Sequence, residues 1–552
     1  MDVTALTFAE RLPSVLNDIS NSCFVSVDYE LSGVGFKPNS PQSKTQTVEE
    51  RYVEAKAAAE RYQILQVGLT TCHEDKEKAT YTLKPYNISL SPITQNEMDL
   101  NRDWTFGSRS MEFLLANNFS MDHMCTFGVQ YLSRDEEVLA IKLATERSRA
   151  RLPTRSLDIK EQDTESLAFL DDVRGNINDW LAQGVTCDDY LNYPPPHSMQ
   201  VEPGTLVRLT RMQKFLVHQL IGDKYPNLTS QSLSNFVHIQ MRTPDHDKLV
   251  FERRLKGKMG RIRKHIGFRW IAEALVGGNL EELEPEAFQP LIRKIGQPAF
   301  ECKQLADDVK RRLKENRPVL IGHNMFSDLL FFHRCFIGPL PDTLAEFQTV
   351  IHELFPMLAD TKYLATHDCG SLNPTSSLEE LNTLLAGIEN PKIEIDPRFN
   401  KYKFRNSAHE AGYDSMLAAT AFIKLAGNIR RVDSELLAKD SPRKTTAPSL
   451  ATGVMTSPSD SDLRCQFSNF FDTLSELLPA TPAVDIAESG TSLADPGSEH
   501  ITCLVDQGIL LPRLGDGFWD VYGNTLRVFG TQERIVRLGK VATKEEDLLL
   551  EI

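Results

Sequence analysis

Asp28 and Glu30 stand two residues apart in FVSVDYELSG, a β-branched and aromatic run that ends at Gly33 and predicts a strand. Side chains at i and i+2 of a strand leave the same face. Two carboxylates on one face of an apolar strand repel, and they are costly to desolvate unless cations hold them together. Magnesium, a hard ion that prefers oxygen ligands, is the obvious partner. An edge strand with one wet face would carry the same pair without any metal.

A further acid, Asp328, follows the Gly322 turn in IGHNMFSDLLFF and falls early in a helix, where a lone aspartate also simply complements the helix dipole. The remaining candidates share NSAHEAGYDSMLAATAFIKL. Ser407 and Glu410 fit an S-x-x-E capping box, which predicts a helix starting at Ser407. His409 and Asp414 then fall in its first two turns, about 140° apart around the axis. That separation suits residues flanking a site: a histidine able to take a proton from water beside an aspartate that ligates metal. A capped surface helix with an incidental histidine would read the same way.

The elements that must position these groups alternate in type. YQILQVGLTTC, TYTLKPYNISL and RPVLIGHN read as strands, and EERYVEAKAAAERY, GFRWIAEALVGG and ECKQLADDVKRRLKEN as helices. PNSPQSKTQT reads as a polar loop. The pattern predicts an α/β fold, a mixed sheet flanked by helices. Residues 161–245, with LAFLDDVRGNINDWLAQG, the breaker YPPPHS and RLTRMQKFLVHQLIGDKYPNL, read as a separate unit inserted between residues 1–160 and 246–431. Residues 432–500 turn to Ser, Thr, Pro, Ala and Asp, the composition of a flexible linker, with a short helix at FSNFFDTLSELL. Residues 501–552, including GFWDVYGNTLRVFGTQERIVRL, have strand character.

The net charge of −15 over 552 residues argues against a simple nucleic-acid coat protein. It says little against an enzyme whose acidic cleft is filled by metal. The densest basic run, FERRLKGKMGRIRKHIGF, reads as a mobile phosphate-attracting loop near the cleft or as a solvated face. Nine cysteines are scattered singly with no C-x-x-C pair, which points away from a disulfide framework or a structural zinc site and toward a reducing compartment, nucleus or cytoplasm. The start, MDVTALTFAERLPSVLNDI, lacks the basic and apolar regions of a signal peptide and reads as a first helix. No apolar run approaches the roughly 18 residues of a membrane span.

Taken in order, FVSVDYELSG, IGHNMFSDLLFF, LPDTLAEFQTVIHELFPMLADTKYLA and HEAGYDSMLAATAFIKL resemble the poly(A)-specific ribonuclease family of DEDDh exonucleases, over most of residues 1–430. The resemblance implies a ribonuclease H-like fold with an inserted small α+β domain of nucleic-acid-binding type. It implies 3′→5′ exoribonuclease activity on single-stranded RNA 3′ ends, poly(A) tails or small-RNA extensions, and a homodimer. Asp28, Glu30, Asp328 and Asp414 match the four family acids, holding two Mg2+ ions for which Mn2+ can substitute, and His409 matches the base. Lys362 matches a family lysine near the phosphates, Asn324 faces where a 3′-terminal nucleotide would lie, and Leu31 (where the family often has an aromatic), Ser32 and Gly33 continue the strand toward the terminal base or sugar. The inserted domain resembles an Arg-x-x-x-His domain, with Lys214 in place of the arginine and His218 as the histidine. An RNA-recognition motif is not found after the nuclease part, so the tail is similar to the trimmer-like branch. A DNA 3′ exonuclease and a non-catalytic RNA-binding scaffold are the alternatives.

Overall fold

The computed structural model describes residues 1–440, 512 and 515–539, apart from 36–45, 76, 79, 95–97, 99, 150–158, 161, 187–188, 196–207, 297–300, 368–376, 390 and 404–405. The expected helix at FSNFFDTLSELL and most of the expected linker lie outside these residues. Two compact units are present: Met1–Gln95, Leu100–Glu137 and His265–Ile552 form one, and Asn96–Asp99 with Val138–Lys264 form the other.

The larger unit is built on a mixed sheet of β1 (Asp2–Val3), β2 (Phe24–Leu31), β3 (Ile64–Asp75), β4 (Thr80–Ser91), β5 (Val129–Gln130), β9 (Val319–Gly322), β10 (Leu358–Asp360) and β11 (Lys392–Ile395). The order is β1-β4-β3-β2-β9-β10, with β5 and β11 also pairing with β4. β2 runs antiparallel to β3 and parallel to β9. Alternation along β2 decides what each face holds. Val25, Val27 and Tyr29 point into the larger core, packed by helices α1 (Phe8–Ser20), α8 (Arg269–Val276) and α9 (Cys302–Glu315). Phe24 points the other way, into a second core with α12 (Ala411–Asp440), and Asp28 and Glu30 share its parity. The two carboxylates thus come out beneath a helix.

The chain starts as a strand before its first helix, because β1 pairs in parallel with β4 and α1 begins only at Phe8. Thr47 of the expected loop forms a capping box with Glu50 at the start of α2 (Val48–Arg61). α12 runs to Asp440, so the first nine residues assigned to the linker continue a helix instead. In the C-terminal segment, GFWDVY is not a strand. It forms α13 (Gly517–Tyr522), because the Asp516 carboxylate accepts the Phe518 N–H at 3.0 Å, capping a turn that buries Phe518, Trp519 and Tyr522. β12 (Thr525–Arg527) and β13 (Ile535–Arg537) then form an antiparallel hairpin.

The smaller unit has a three-stranded sheet, β6 (Tyr190–Tyr193), β8 (Val237–Met241) and β7 (Leu228–Ser232), packed by α5 (Thr164–Ala182) and α6 (Arg211–Lys224) around Val173, Ile177, Val217 and Ile239. Its bounds fall within two long helices, α4 (Arg134–Arg149) and α7 (Pro244–Ile266), and so extend past 161–245 on both sides. Pro244 marks a helix start, which explains the narrower reading. As far as Ile266 the basic run lies inside α7 and is helical, not a loop, since Gly257 and Gly260 weaken a helix without ending it. Lys214 donates to the carbonyls of Leu233 and Ser234, at 2.5 and 2.9 Å, and His218 bonds Ser230 and Ser232. His218 thus braces α6 on β7, and Lys214 ties it to the residues just after that strand. No helix among the described residues is long and apolar enough to cross a membrane.

Candidate active site

Asp28 pairs with Gly68 across the β2–β3 ladder. Gly68 is the contact on which α12 lands: a Cβ there would lie 1.8 Å from the Ala411 carbonyl oxygen. A glycine inside a strand marks just such a close backbone approach. Neighbouring side chains fix the landing. Gln66, opposite Glu30, accepts the Ala411 N–H at 3.0 Å, Asn87 accepts the Gly412 N–H at 3.1 Å, and the Thr70 and Ser415 hydroxyls meet at 2.8 Å. Asp414, one turn into α12, therefore arrives over β2. Ligand oxygens of Asp28, Glu30 and Asp414 all lie within 4.8 Å of one another.

The electrostatics fit a cation site. Burial first, then Asp414, Asp328 and Glu30, push Asp28 well above the usual carboxylate range. Glu30 is raised by burial, Asp414, Asp328 and Glu410. Burial lifts Asp414 to about 7, with Glu379 and Glu410 adding to the shift and the His409 N–H opposing it. Asp328, in the first turn of α10 (Phe326–Phe332), is lifted to about 7 by burial and Asp360, and acts on Asp28 and Glu30 through space. Four acids resisting ionisation together, with only oxygen donors to offer, suit a hard divalent ion.

His409 is placed differently from the capping-box expectation. α12 begins at Ala411, and His409 sits before it in a left-handed turn, φ 65°. Ser407 does not cap the helix, because Glu410 is drawn away to Asn87, Lys401 and Tyr402. The His409 backbone N–H donates instead to Asp414 at 2.9 Å. Its ring is exposed and meets the Phe113 ring of α3 (Ser108–Ala116) edge-on, centroids 4.6 Å apart. Phe113 escaped the sequence reading because an exposed phenylalanine in a short helix carries no spacing signal.

The expected substrate contacts divide. Asn324 is exposed at φ 58°, just after β9. Leu31, at the end of β2, is half-buried. Gly33 packs against Tyr62, whose ring a Cβ would meet at 2.4 Å. Ser32 is fully buried, its hydroxyl donating to the Thr105 carbonyl at 2.7 Å and accepting the Gln63 N–H at 2.9 Å. Its side chain is therefore bound up in the scaffold. Lys362 is largely buried at the start of α11 (Thr361–Thr366), its Nζ 5.3 Å from the centre of the Phe529 ring.

Residues 3–422 match the profile of the CAF1 family ribonucleases. The chain belongs to this family. It is 26% identical to the pre-piRNA 3′-exonuclease trimmer of Bombyx mori over 435 residues, 77% of this chain and 71% of that one. It is 25% identical to the poly(A)-specific ribonuclease PARN of Xenopus laevis over 439 residues, spanning 62% of that protein's length. An uncharacterized protein of Schizosaccharomyces pombe, C29A10.09c, is 24% identical over 447 residues and is covered to 92%.

One further acid of this CAF1 chain passed unnoticed in the sequence. Asp360 is fully buried and accepts backbone N–H groups from Asn324 (2.7 Å), Lys362 (2.9 Å) and Arg527 (3.0 Å). It ties the turn after β9, the start of α11 and the C-terminal hairpin together. An aspartate directly before a short helix was the available signal, as a helix N-cap. Beside it, Thr361 donates to the Gly322 carbonyl and shares a hydrogen bond with His323, whose imidazole burial and Lys362 hold down to about 3.

Proposed function

We propose that this chain is a metal-dependent 3′→5′ exoribonuclease that shortens single-stranded RNA 3′ ends, poly(A) tails or small-RNA extensions, and releases nucleoside 5′-monophosphates. The observation that carries this reading is the convergence of Asp28, Glu30 and Asp414 within 4.8 Å, with His409 tied to Asp414. Family membership supplies the substrate class, RNA.

Asp28, Glu30 and Asp414 would hold one Mg2+ or Mn2+ ion, and Asp28 with Asp328 a second. Such ions polarise the scissile phosphate and stabilise both attacking and leaving oxygens. His409 takes the proton of the attacking water, whose oxygen bonds to phosphorus as the P–O3′ bond breaks. The leaving 3′ oxygen gains a proton and becomes the new 3′-hydroxyl. Asp414 holds His409 in place through its backbone, and Phe113 limits the ring's rotation. Asn324 and Leu31 would hold a terminal nucleotide, and Lys362 would offer a cation to its phosphate. A homodimer working in nucleus or cytoplasm belongs to the same proposal, and light scattering at the mass of one chain would remove the dimer.

The test compares 5′-labelled RNAs that share one body and end in A20, U20 or mixed tails, alongside matched DNA, all with Mg2+. Shortening of the A tail alone indicates a deadenylase, and equal shortening of every RNA tail a general trimmer. Degradation of DNA as fast as RNA, or no shortening at all, would overturn the proposal.

A further inference from the structure

Residues 517–538 lie beyond the stretch matched to the family, yet they are built into the nuclease layer. Leu526, Val528, Val536 and Leu538 belong to the larger core. β10 would otherwise be an open sheet edge. The hairpin covers it: Asn524 donates its N–H to the Leu358 carbonyl at 2.9 Å and accepts the Leu358 N–H on its side chain at 3.1 Å.

The covering hairpin carries a cation and an aromatic ring to Lys362. The Arg527 guanidinium carbon lies 5.6 Å from the centre of the Phe529 ring, and Lys362 Nζ lies 5.3 Å from the same centre. One ring thus gathers two cations, one from α11 and one from β12. The ring attracts each cation, while the two like charges repel. Arg527 Nε is buried without a hydrogen-bond partner, and Nη2 reaches the Thr366 carbonyl only at 3.5 Å. The adjacent anion, Asp360, already accepts backbone N–H groups, those of Lys362 and Arg527 among them. That carboxylate aligns both halves of the cluster without using up the guanidinium.

We propose that Arg527, Phe529 and Lys362 form a clamp for an RNA backbone phosphate, half of it supplied by the C-terminal hairpin. A guanidinium with an unmet buried donor beside an ammonium is matched by a phosphate, which accepts from both and removes their repulsion. The ring gathers both cations, each within 5.6 Å of its centre, and it offers no base-specific contact. The clamp rests on the exoribonuclease reading for its ligand, single-stranded RNA.

The full chain and its Arg527→Gln and Phe529→Leu variants are compared in two assays. One is equilibrium binding of labelled A20 across a salt series with Ca2+ in place of Mg2+. The other is steady-state digestion with Mg2+. Arg527→Gln keeps the backbone N–H on Asp360, so it carries the test even where Phe529→Leu melts early. The clamp requires both variants to bind about three- to tenfold more weakly, with KM raised and kcat within about twofold. It also requires Arg527→Gln to lower the slope of log affinity against log salt by about 0.7, one single-strand phosphate contact. Wild-type affinity and slope in Arg527→Gln overturn the clamp, and digestion by the wild type then leaves the exoribonuclease reading standing. A wild type that binds A20 through this cluster yet never shortens it overturns the nuclease reading alone.

Discussion

The backbone N–H of His409 donates to a carboxylate oxygen of Asp414 at 2.9 Å. The residue that would take the proton and a residue that would hold the metal are thereby one mechanical unit, clasped across the turn that precedes α12. Asp414→Asn keeps an acceptor for that N–H and loses the charge. The expected result is a melting free energy within about 1 kcal/mol of wild type, with turnover lowered by about 10²–10³-fold or more. Asp414→Ala should lose turnover and also loosen the His409 turn, read as faster amide exchange there. Equal turnover in Asp414→Asn and wild type would break the assignment.

Gly68 sets the height of that unit above the strand. Its absent Cβ is replaced by the Ala411 carbonyl, so Gly68→Ala must lift the start of α12. Overpacking of this kind costs about 1–3 kcal/mol. A displacement near 1 Å at the acids should lower kcat about 10²-fold. Thermal melting and single-turnover rates check both, and unchanged rates would show that α12 does not position Asp414.

The acid cluster should bind Mg2+ in the folded state alone. Mg2+ at about 100 times its dissociation constant then stabilises the fold by about 2.7 kcal/mol. Asp28→Ala should abolish that increment and melt no lower than wild type without metal, because one member of a repelling set is gone. A full Mg2+ shift in Asp28→Ala would place the ion elsewhere.

His333 gives a pH signature separate from the acids. Burial, its main cause, holds the imidazole down to about 4. The unfolded chain takes up that proton near pH 6.5, so the stability present above 6.5 is lost as pH falls toward 4, by up to about 1.4 kcal/mol per unit. His333→Phe should flatten the fall by that amount relative to wild type. Parallel stability curves would contradict it.

Much of this architecture is written locally. The D-x-E pair on β2 was legible because a strand repeats every two residues, and Asp328 because α10 follows a glycine turn. What escaped depends on contacts between distant segments. Glu410 could cap a helix at Ser407 in isolation, but Asn87, Lys401 and Tyr402 compete for it, so α12 starts four residues later. Asp360 looks like an ordinary N-cap until the hairpin brings Arg527 to its second oxygen. FWDVY has the β-branched and aromatic content of a strand, yet Asp516 caps it and the core takes Phe518, Trp519 and Tyr522 on one helical face. Ser32 continued a strand that seemed to lead to substrate, and its hydroxyl is held by Thr105 and Gln63.

The most direct measurement is digestion of a 5′-labelled single-stranded RNA with a free 3′-hydroxyl, by wild type and Asp28→Ala, with Mg2+ and with chelator. A metal-dependent ladder receding from the 3′ end, nucleoside 5′-monophosphate as product, and no ladder from a folded Asp28→Ala are the results expected. Internal cuts, activity in chelator, or wild-type rates in Asp28→Ala would contradict the catalytic assignment.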